Sequence, residues 1–336
     1  MKFPTHKYSN LLLLSLLLTF SNLFSQSVAT DPVGYVSIDI VPGYNPIGIN
    51  FCKPAAFTGK VLSSSANTLN LSAIPSLGED KYYIEVLRDA ESTNMVGERI
   101  DIASVDGTLV TLDVSAPHNT LPNASSIVEG CTITIRPHFT IGDFDSIVSN
   151  DVNTDDSFNP AKSDQILFFD NGFKTHINYE GTWYQYFGSF EDVTDKIIAP
   201  GTGFFYYRNP NAGTPTEITA VFSGVVRVNN FVQKLVPGYQ LVSSGYPIDT
   251  SPSILGYSSS LEASTNFNPT ESDLIFTWEN GFRTHLLYDD GQGTKNWYQY
   301  FGDFNVVENS NLFSSLSAYV VFIKTTGKVV EVARPF

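Results

Sequence analysis

The chain carries an internal duplication. Residues 158–188 return as residues 267–302, and both copies contain Phe-Asn-Pro, Ser-Asp, Asn-Gly-Phe, Thr-His and Trp-Tyr-Gln-Tyr-Phe-Gly in the same order. The tetrapeptide at residues 41–44 also recurs, at residues 236–239. A repeat spaced by roughly a hundred residues is too long for one unit of a solenoid. The duplication therefore predicts two copies of a small lobe.

The composition is typical of an all-β protein. The chain has 25 Phe and 17 Tyr but only 2 Met, and its short β-branched runs are separated by clusters of Gly, Pro, Asn, Asp and Ser. No stretch has helical periodicity beyond about two turns, although residues 192–198 could form one short turn of helix. The sequence therefore predicts strands throughout.

The duplication also suggests how the chain is divided. Residues 66–138 have no counterpart in the second copy, and they alternate like a β-meander with a hairpin closed by Asp106-Gly107. We therefore predict an N-terminal β domain at residues 26–138, followed by two tandem β-sandwich-like lobes. The lobes are predicted at residues 139–225 and 226–336.

The first residues have the pattern of a secretory signal peptide. Lys2, His6 and Lys7 precede the apolar run at residues 11–20, and a small residue at Ser25 or Ala29 offers a cleavage position. The run is shorter than the roughly 18 apolar residues of a spanning helix, which disfavours a retained anchor. The pattern predicts cleavage of residues 1–25, and an exported protein with no transmembrane span afterwards.

The net charge of −15 limits the classes of partner that the protein is expected to bind. An acidic surface disfavours nucleic acid and anionic membranes and favours cations. Residues 151–156 begin like a calcium loop, but Asp156 stands where such a loop has Gly and Lys162 where it has Glu. A solvated acidic linker that binds calcium only weakly fits these residues better, and no cofactor or metal site is predicted.

Each repeat contains one hairpin, at Asn171-Gly172 and at Asn280-Gly281. If these pairs form two-residue loops, Phe169 faces Lys174 and Leu167 faces His176. This register predicts a core face and an opposite face on which each cation lies against an aromatic ring. The predicted core residues are Ile166, Phe168, Phe173, Thr175 and Ile177, and those opposite are Leu167, Phe169, Lys174 and His176, with Phe276, Trp278, Arg283 and His285 in the second copy.

The repeated Trp-Tyr-Gln-Tyr-Phe-Gly strand has two interpretations. It is a central strand with apolar side chains on both faces, or it is an aromatic platform for sugar rings that is used twice for avidity. The repeated histidines indicate a structural pairing rather than acid–base chemistry, and one histidine per lobe does not make a metal site. The candidate ligand-binding residues are Trp183, Tyr184, Tyr186, Trp297, Tyr298, Tyr300, Trp278, Arg283, His176 and His285.

The two cysteines leave two alternatives open. In an oxidising compartment Cys52 and Cys131 could form a disulfide. They could equally be separate buried core residues, because Cys131 alternates in phase with Ile133 and Ile135.

Several short motifs along the mature chain together resemble a family of uncharacterised exported bacterial proteins, of verrucomicrobial type, with a duplicated β-rich repeat. These motifs are residues 31–36, residues 53–57, residues 135–140, the two hairpins and the terminal Arg334-Pro335-Phe336. The resemblance implies secretion, a duplicated β architecture and a surface or envelope setting. It implies no catalytic residue.

The sequence carries no recognised catalytic signature. Asp164 and Asp273, with Asp170 and Glu279, could form a glycosidase pair, but two duplicated environments would not separate the pKa values of an acid and a nucleophile. The leading hypothesis is an exported, non-catalytic β protein of the cell surface or envelope with a structural or interaction role. The alternatives are a module that binds extracellular glycans and, third, a polysaccharide-active enzyme; envelope proteins are the other candidate partners.

Overall fold

The computed structural model describes residues 31–90, 94–148, 151–211 and 217–336. The predicted signal peptide lies outside them. Strands dominate the described residues, which confirms the all-β fold. No helix among these residues is long and apolar enough to cross a membrane.

The first lobe is built on a five-stranded antiparallel sheet, which we call sheet 1. Its strand order is β12-β11-β10-β14-β2. Its strands are β2 (Gly43–Gly48), β10 (Gln165–Phe169), β11 (Phe173–Tyr179), β12 (Thr182–Gln185) and β14 (Gly203–Arg208). A two-stranded ribbon of β1 (Val33–Ile40) and β15 (Ile218–Val225) and the helix α1 (Ile141–Val148) enclose a core with its inner face.

The second lobe repeats this arrangement in sheet 2. Its strand order is β17-β21-β18-β19-β20. Its strands are β17 (Gly238–Ser243), β18 (Leu274–Trp278), β19 (Phe282–Asp289), β20 (Lys295–Gln299) and β21 (Ala318–Ile323). The ribbon of β16 (Phe231–Leu235) and β22 (Lys328–Val332), the helix α2 (Tyr257–Ser260) and a 3-10 turn (Pro269–Glu271) complete the lobe. Matching strands make matching pairings, so β17 and β21 correspond to β2 and β14.

A closed six-stranded barrel lies between β2 and the rest of lobe 1 in the chain. Its order is β3-β4-β7-β6-β5-β8. Its strands are β3 (Phe57–Ser64), β4 (Thr68–Leu71), β5 (Tyr82–Arg88), β6 (Arg99–Asp106), β7 (Leu109–Asp113) and β8 (Thr132–Pro137). Inward aliphatic side chains fill it as a separate core. The chain then continues through β9 (Phe139–Thr140), which pairs with β13 (Ile197–Ile198).

The first domain boundary predicted from the sequence needs correction. β1 and β2 pair with β15 and β14, so residues 33–48 belong to lobe 1 and not to the same unit as the barrel. The repeated tetrapeptide at residues 41–44 indicated this connection, since it corresponds to residues 236–239 at the start of β17. The barrel is an insertion in lobe 1.

The predicted hairpin registers are wrong by one residue. Phe169 pairs with Phe173 and Phe168 with Lys174, so the loop has three residues, Asp170 to Gly172. The Asp170 amide donates to the Gly172 carbonyl at 2.9 Å, which uses the extra residue to close the turn. The second hairpin pairs Trp278 with Phe282 in the same way. Phe173, Thr175 and Ile177 therefore lie on the face opposite Ile166 and Phe168. Lys174 and His176, which were predicted on that opposite face, pair with Phe168 and Ile166 on the core face. In the barrel, Asp106 pairs with Leu109, so that loop is Gly107-Thr108.

The helix α1 was missed in the sequence. Thr140 and Asp143 form a reciprocal cap: the Thr140 amide donates to the Asp143 carboxylate at 2.8 Å, and the Asp143 amide donates to the Thr140 hydroxyl at 3.1 Å. This spacing is a capping-box signal with Asp in place of Glu. Phe144 and Val148 then bury one face of a helix of only two turns. Residues 192–198, where a helical turn was predicted, contain none.

The two sheets meet where small residues face each other. A Cβ added to Gly48 would lie 2.3 Å from the Cβ of Ser243, and one added to Gly203 would lie 2.4 Å from the Cβ of Ala318. Gly48 and Ser243 are the last residues of the equivalent strands β2 and β17. Within the sheets, Gly48 pairs with Gly203 and Ser243 pairs with Ala318. Each contact therefore joins equivalent positions, as expected when two sheets are related by an approximate two-fold rotation.

This contact predicts a reciprocal pair of substitutions. Gly203→Ala should lower the free energy of unfolding by about 1–3 kcal/mol, because overpacking forces the backbones apart. Ala318→Gly should destabilise the wild-type chain and yet restore part of the stability in the Gly203→Ala background. Urea unfolding of the four proteins gives the coupling energy. Additive effects of the two substitutions would contradict the close contact.

Candidate functional site

The two tryptophans of the repeated strand are core residues. Trp183 and Trp297 have no solvent exposure, and both lie in the hydrophobic core of their lobe. The Trp183 indole donates to the Asp145 carboxylate at 2.7 Å. These positions confirm the core interpretation for the tryptophans and rule them out as stacking platforms for a sugar. Removing either ring would remove part of the core.

The repeated histidines are also buried. His176 lies 3.2 Å from the Ile166 carbonyl through Nδ1, and Nε2 of His285 lies 2.9 Å from the Thr277 hydroxyl. In each ring the other nitrogen has no hydrogen-bond partner among the described residues. Burial lowers the pKa of both to about 4, with a smaller contribution from the charge of Lys196 or Arg283. Both rings are therefore neutral parts of the fold, as their repetition indicated.

The predicted pairs of Lys174 with Phe169 and of Arg283 with Trp278 do not form. Because the register moves by one residue, Lys174 pairs with Phe168 in the ladder and Arg283 with Thr277. Arg283 instead lies 3.3 Å from the Glu279 carboxylate in an exposed ion pair. Trp278 turns toward sheet 1, where its ring centroid lies 5.4 Å from that of Phe205.

Trp278 belongs to an apolar layer between the two sheets. Two equivalent cavities of about 190 and 310 Å³ occur there, and the hairpin residues Phe173 and Phe282 line both. The side-chain hydroxyls that line the larger cavity are those of Thr284 and Tyr239. With so few polar groups, these cavities suit packing better than recognition of a hydroxylated ligand.

The tyrosines of the repeated strand pack around the phenylalanine of the repeated Phe-Asn-Pro motif. We call this group the Phe158 cluster. It comprises Phe158, Tyr179, Tyr184, Tyr186 and Phe190, with ring centroids 5.2 to 6.1 Å from Phe158. Lobe 2 has the equivalent Phe267 cluster, which comprises Phe267, Tyr288, Tyr298, Tyr300 and Phe304.

Both clusters hold phenylalanines in left-handed backbone conformations. Phe158 and Phe190 have φ of 53°, and Phe267 and Phe304 have φ of 57° and 52°. Such conformations cost a bulky residue about 1–2 kcal/mol and persist only where the surroundings enforce them. Here the enforced result is a rigid, half-exposed aromatic surface on each lobe.

On lobe 1 this surface continues into an open cavity of about 360 Å³, which we call the tyrosine pocket. Its walls combine aromatic rings with amides and hydroxyls. The lining residues are Tyr44, Pro160, Ala161, Gln165, Thr175, Tyr186, Phe187, Tyr207, Asn209 and Asn211. Tyr186 belongs to both the Phe158 cluster and the pocket, and its amide donates to the Thr175 carbonyl at 2.9 Å. The cluster therefore fixes one wall of the pocket.

The equivalent surface of lobe 2 differs from the tyrosine pocket at three polar positions. Pairing in the two sheets matches Gln165 with Leu274 and Tyr207 with Phe322. Asn209 matches Lys324, since both amides donate at 2.8 Å to the equivalent carboxylates of Asp164 and Asp273. The aromatic residues Tyr186 and Tyr300 are common to both lobes. The Gln165 amide and the Tyr207 hydroxyl are therefore specific to lobe 1, whereas Tyr44 and Thr175 have the counterparts Tyr239 and Thr284 in lobe 2.

Of the predicted candidates, only Tyr186 lines this pocket. Tyr184, Tyr298 and Tyr300 are half-buried in the aromatic clusters, while the sequence analysis missed Tyr44, Gln165, Tyr207 and Asn209. A signal for three of them existed in the alignment of the two repeats, because Gln165, Tyr207 and Asn209 are positions where the copies differ.

The duplicated carboxylates are structural. Asp164 and Asp273 have no solvent exposure. Asp164 accepts from the Tyr206 hydroxyl at 2.7 Å and pairs with the Arg208 guanidinium. Both oxygens of Asp273 accept backbone amides. In the predicted acidic linker, the Asp155 carboxylate accepts the Ser157 and Asn159 amides and so closes a turn.

Of the two alternatives for the cysteines, the structure has the one without a disulfide. Cys52 and Cys131 are both free and buried. Cys131 packs in the barrel core, as its alternation indicated, whereas the sulfur of Cys52 lies 3.3 Å from the Arg227 guanidinium. The two thiols therefore serve different parts of the molecule.

Comparison with known proteins found no matching family model, no similar curated protein and no similar solved structure.

The buried histidines predict how stability depends on pH. The unfolded chain takes up protons below its usual histidine pKa of about 6.5, whereas the folded rings stay neutral to about pH 4. Their contribution is complete above pH 6.5 and is lost as the pH falls toward 4, by about 3 kcal/mol for each ring at most. Denaturant unfolding between pH 4 and 7.5 should show this loss.

The double substitution His176→Gln and His285→Gln should flatten that dependence, and each single substitution should remove about half as much. Part of the slope should remain, because burial also lowers the pKa of His138. An unchanged slope in the double variant would mean that these histidines are not the groups responsible.

Proposed function

We propose that the chain is an exported, non-catalytic binding protein of the cell surface or envelope and that it binds a carbohydrate in the tyrosine pocket. The observation that carries the proposal is the composition of that pocket. Aromatic rings stack on the apolar faces of sugars, and amides and hydroxyls exchange hydrogen bonds with sugar hydroxyls. The export part of the proposal rests on the signal-like residues 1–25.

The rigidity of the pocket supports binding rather than simple packing. Tyr44 is 47% exposed, and its ring packs 4.8 Å from that of Tyr207 on the neighbouring strand. Tyr186 is held by the Phe158 cluster on the other side. Rings that are fixed before a ligand arrives lose little conformational entropy on binding.

The difference between the lobes supports a specific site in lobe 1. Both lobes keep the aromatic rings that stabilise the fold, since these rings pack on the phenylalanines at positive φ. Gln165, Tyr207 and Asn209 are not needed for that packing, because lobe 2 forms the same sheet with Leu274, Phe322 and Lys324. Within lobe 1 the Gln165 and Asn209 side chains donate to the Pro160 and Ser163 carbonyls. Ligand recognition gives a role to the Tyr207 hydroxyl and a further one to the Gln165 amide.

The burial of the duplicated carboxylates favours binding over hydrolysis. A glycosidase needs one carboxylic acid and one carboxylate that both reach the sugar. Asp164 and Asp273 cannot reach a bound ligand without breaking the hydrogen bonds that anchor them.

The proposal predicts binding in an array of bacterial and algal polysaccharides, followed by isothermal titration with the oligosaccharide identified. Tyr207→Phe and Gln165→Leu introduce the lobe 2 residues, so the sheet should tolerate them. Loss of the Tyr207 hydroxyl should weaken binding about 2- to 10-fold, and Tyr186→Ala should weaken it further.

Tyr300→Ala is the matched control, because it removes the equivalent ring from lobe 2 and carries a similar structural cost. It should leave the affinity unchanged. Binding that is lost equally in the Tyr186 and Tyr300 variants, or that ignores Tyr207→Phe and Gln165→Leu, would contradict the assignment to the tyrosine pocket. Silence across the array would favour protein partners, with the surface role unchanged.

A further inference from the structure

Two histidines of the barrel region converge on one carboxylate. Nε2 of His118 lies 2.7 Å from Oδ2 of Asp101, and Nε2 of His138 lies 3.0 Å from Oδ1. The two imidazole rings are nearly perpendicular, at 82°, with centroids 5.4 Å apart. One ligand atom from each of the three residues lies within 4.8 Å of the others.

Backbone hydrogen bonds hold all three residues in place. The Asp101 amide donates to the Asn119 side chain at 2.9 Å, which fixes the loop that carries His118 against β6. The His138 amide donates to the Lys81 carbonyl at 2.8 Å. Both histidines follow a proline, which restricts the preceding backbone. The convergence is therefore part of the barrel's framework.

The three side chains are of types that bind metal ions. An ionised carboxylate binds through an oxygen, and an imidazole binds through an unprotonated ring nitrogen.

We propose that Asp101, His118 and His138 bind a Zn²⁺ ion. Imidazole and carboxylate ligands suit zinc, whereas calcium prefers oxygen alone. In a tetrahedral zinc site ligand atoms lie about 3.3 Å apart. The observed N···O distances of 2.7 and 3.0 Å would therefore have to lengthen by only a few tenths of an ångström. The two nitrogens must approach by up to about 1.5 Å, which His118 can supply because its ring is on a loop and partly exposed.

The fourth ligand is a water molecule. His118 lines a cavity of about 330 Å³ where the barrel meets both lobes. With three protein ligands and an open position, the ion would fasten the His118 loop to the barrel wall. The net charge of −15 adds to the attraction of a cation.

The surroundings of His138 limit the affinity. A metal-bound histidine usually donates its other N–H to an acceptor, but Nδ1 of His138 is buried beside the Tyr83 ring without a hydrogen-bond partner among the described residues. Loss of such an outer partner typically costs 10- to 100-fold in metal affinity. We therefore expect micromolar rather than nanomolar binding.

Equilibrium dialysis of the purified, chelator-treated chain against ZnCl₂ tests the proposal. The wild-type protein should bind one equivalent, excess calcium should not displace it, and the melting temperature should rise with zinc concentration. Co²⁺ in place of zinc should give the intense visible absorption of a tetrahedral site.

His118→Ala should abolish stoichiometric zinc binding and the cobalt spectrum while the protein remains folded, because this ring is partly exposed. Asp101→Asn should do the same, and it retains a side-chain oxygen for one histidine. His176→Gln, which alters a buried histidine outside the cluster, is the control and should still bind one equivalent. Absence of stoichiometric binding by the wild type, or undiminished binding by His118→Ala, would overturn the proposal.

Discussion

The close approach of the two sheets at Gly48 and Gly203 is the constraint on which the arrangement of the lobes depends. At both positions a side chain would occupy space already filled by Ser243 or Ala318. Because each of these contacts joins equivalent residues, it sets the two sheets back to back around one approximate axis. Larger side chains then fill the rest of the interface, with Trp278 of sheet 2 packed on Phe205 of sheet 1. Hydrophobic burial thus acts on both faces of each sheet, and this explains why the strands β10, β14, β18 and β21 are mostly apolar.

The barrel is attached by a different kind of interaction, a buried charge network between the lobes. Arg227, in the connection from lobe 1 to lobe 2, pairs with Glu85 of the barrel, and both side chains are almost fully buried. The guanidinium groups of Arg227 and Arg99 both lie against the ring of Phe231, 4.9 and 4.4 Å from its centroid. Such a pair adds little net stability over an apolar contact, but removing one partner leaves a buried charge unpaired. Its role is therefore to specify how the inserted barrel docks.

The sequence was sufficient for the fold class but not for the registers or the pocket. Composition and turn signals predicted strands, and residues 66–138, predicted as a β-meander, contain the barrel strands β4 to β8. The hairpins were misread because Asn171-Gly172 favours a two-residue loop by local preference, whereas the Asp170 amide closes a three-residue loop. A shift of one residue exchanges the faces of one strand relative to its neighbour, so the predicted register wrongly placed Phe173 on the core face. The pocket could not be predicted for another reason: Tyr44 is 121 residues before Gln165, and the barrel insertion between them hides their shared sheet.

The duplication separates structural residues from candidates for function more sharply than chemistry alone. Trp183 and Trp297 have the same burial because both complete a core, and conspicuous aromatic residues shared by the two copies therefore indicate architecture. Gln165 and Tyr207 have counterparts, Leu274 and Phe322, that preserve the pairing of the strands without the polar atoms. The Gln165 amide also donates to the Pro160 carbonyl at 2.8 Å, so the Tyr207 hydroxyl is the polar group at the open cavity whose presence ligand binding explains. In a duplicated protein, the positions at which the copies differ within a conserved geometry are thus the first to test for function.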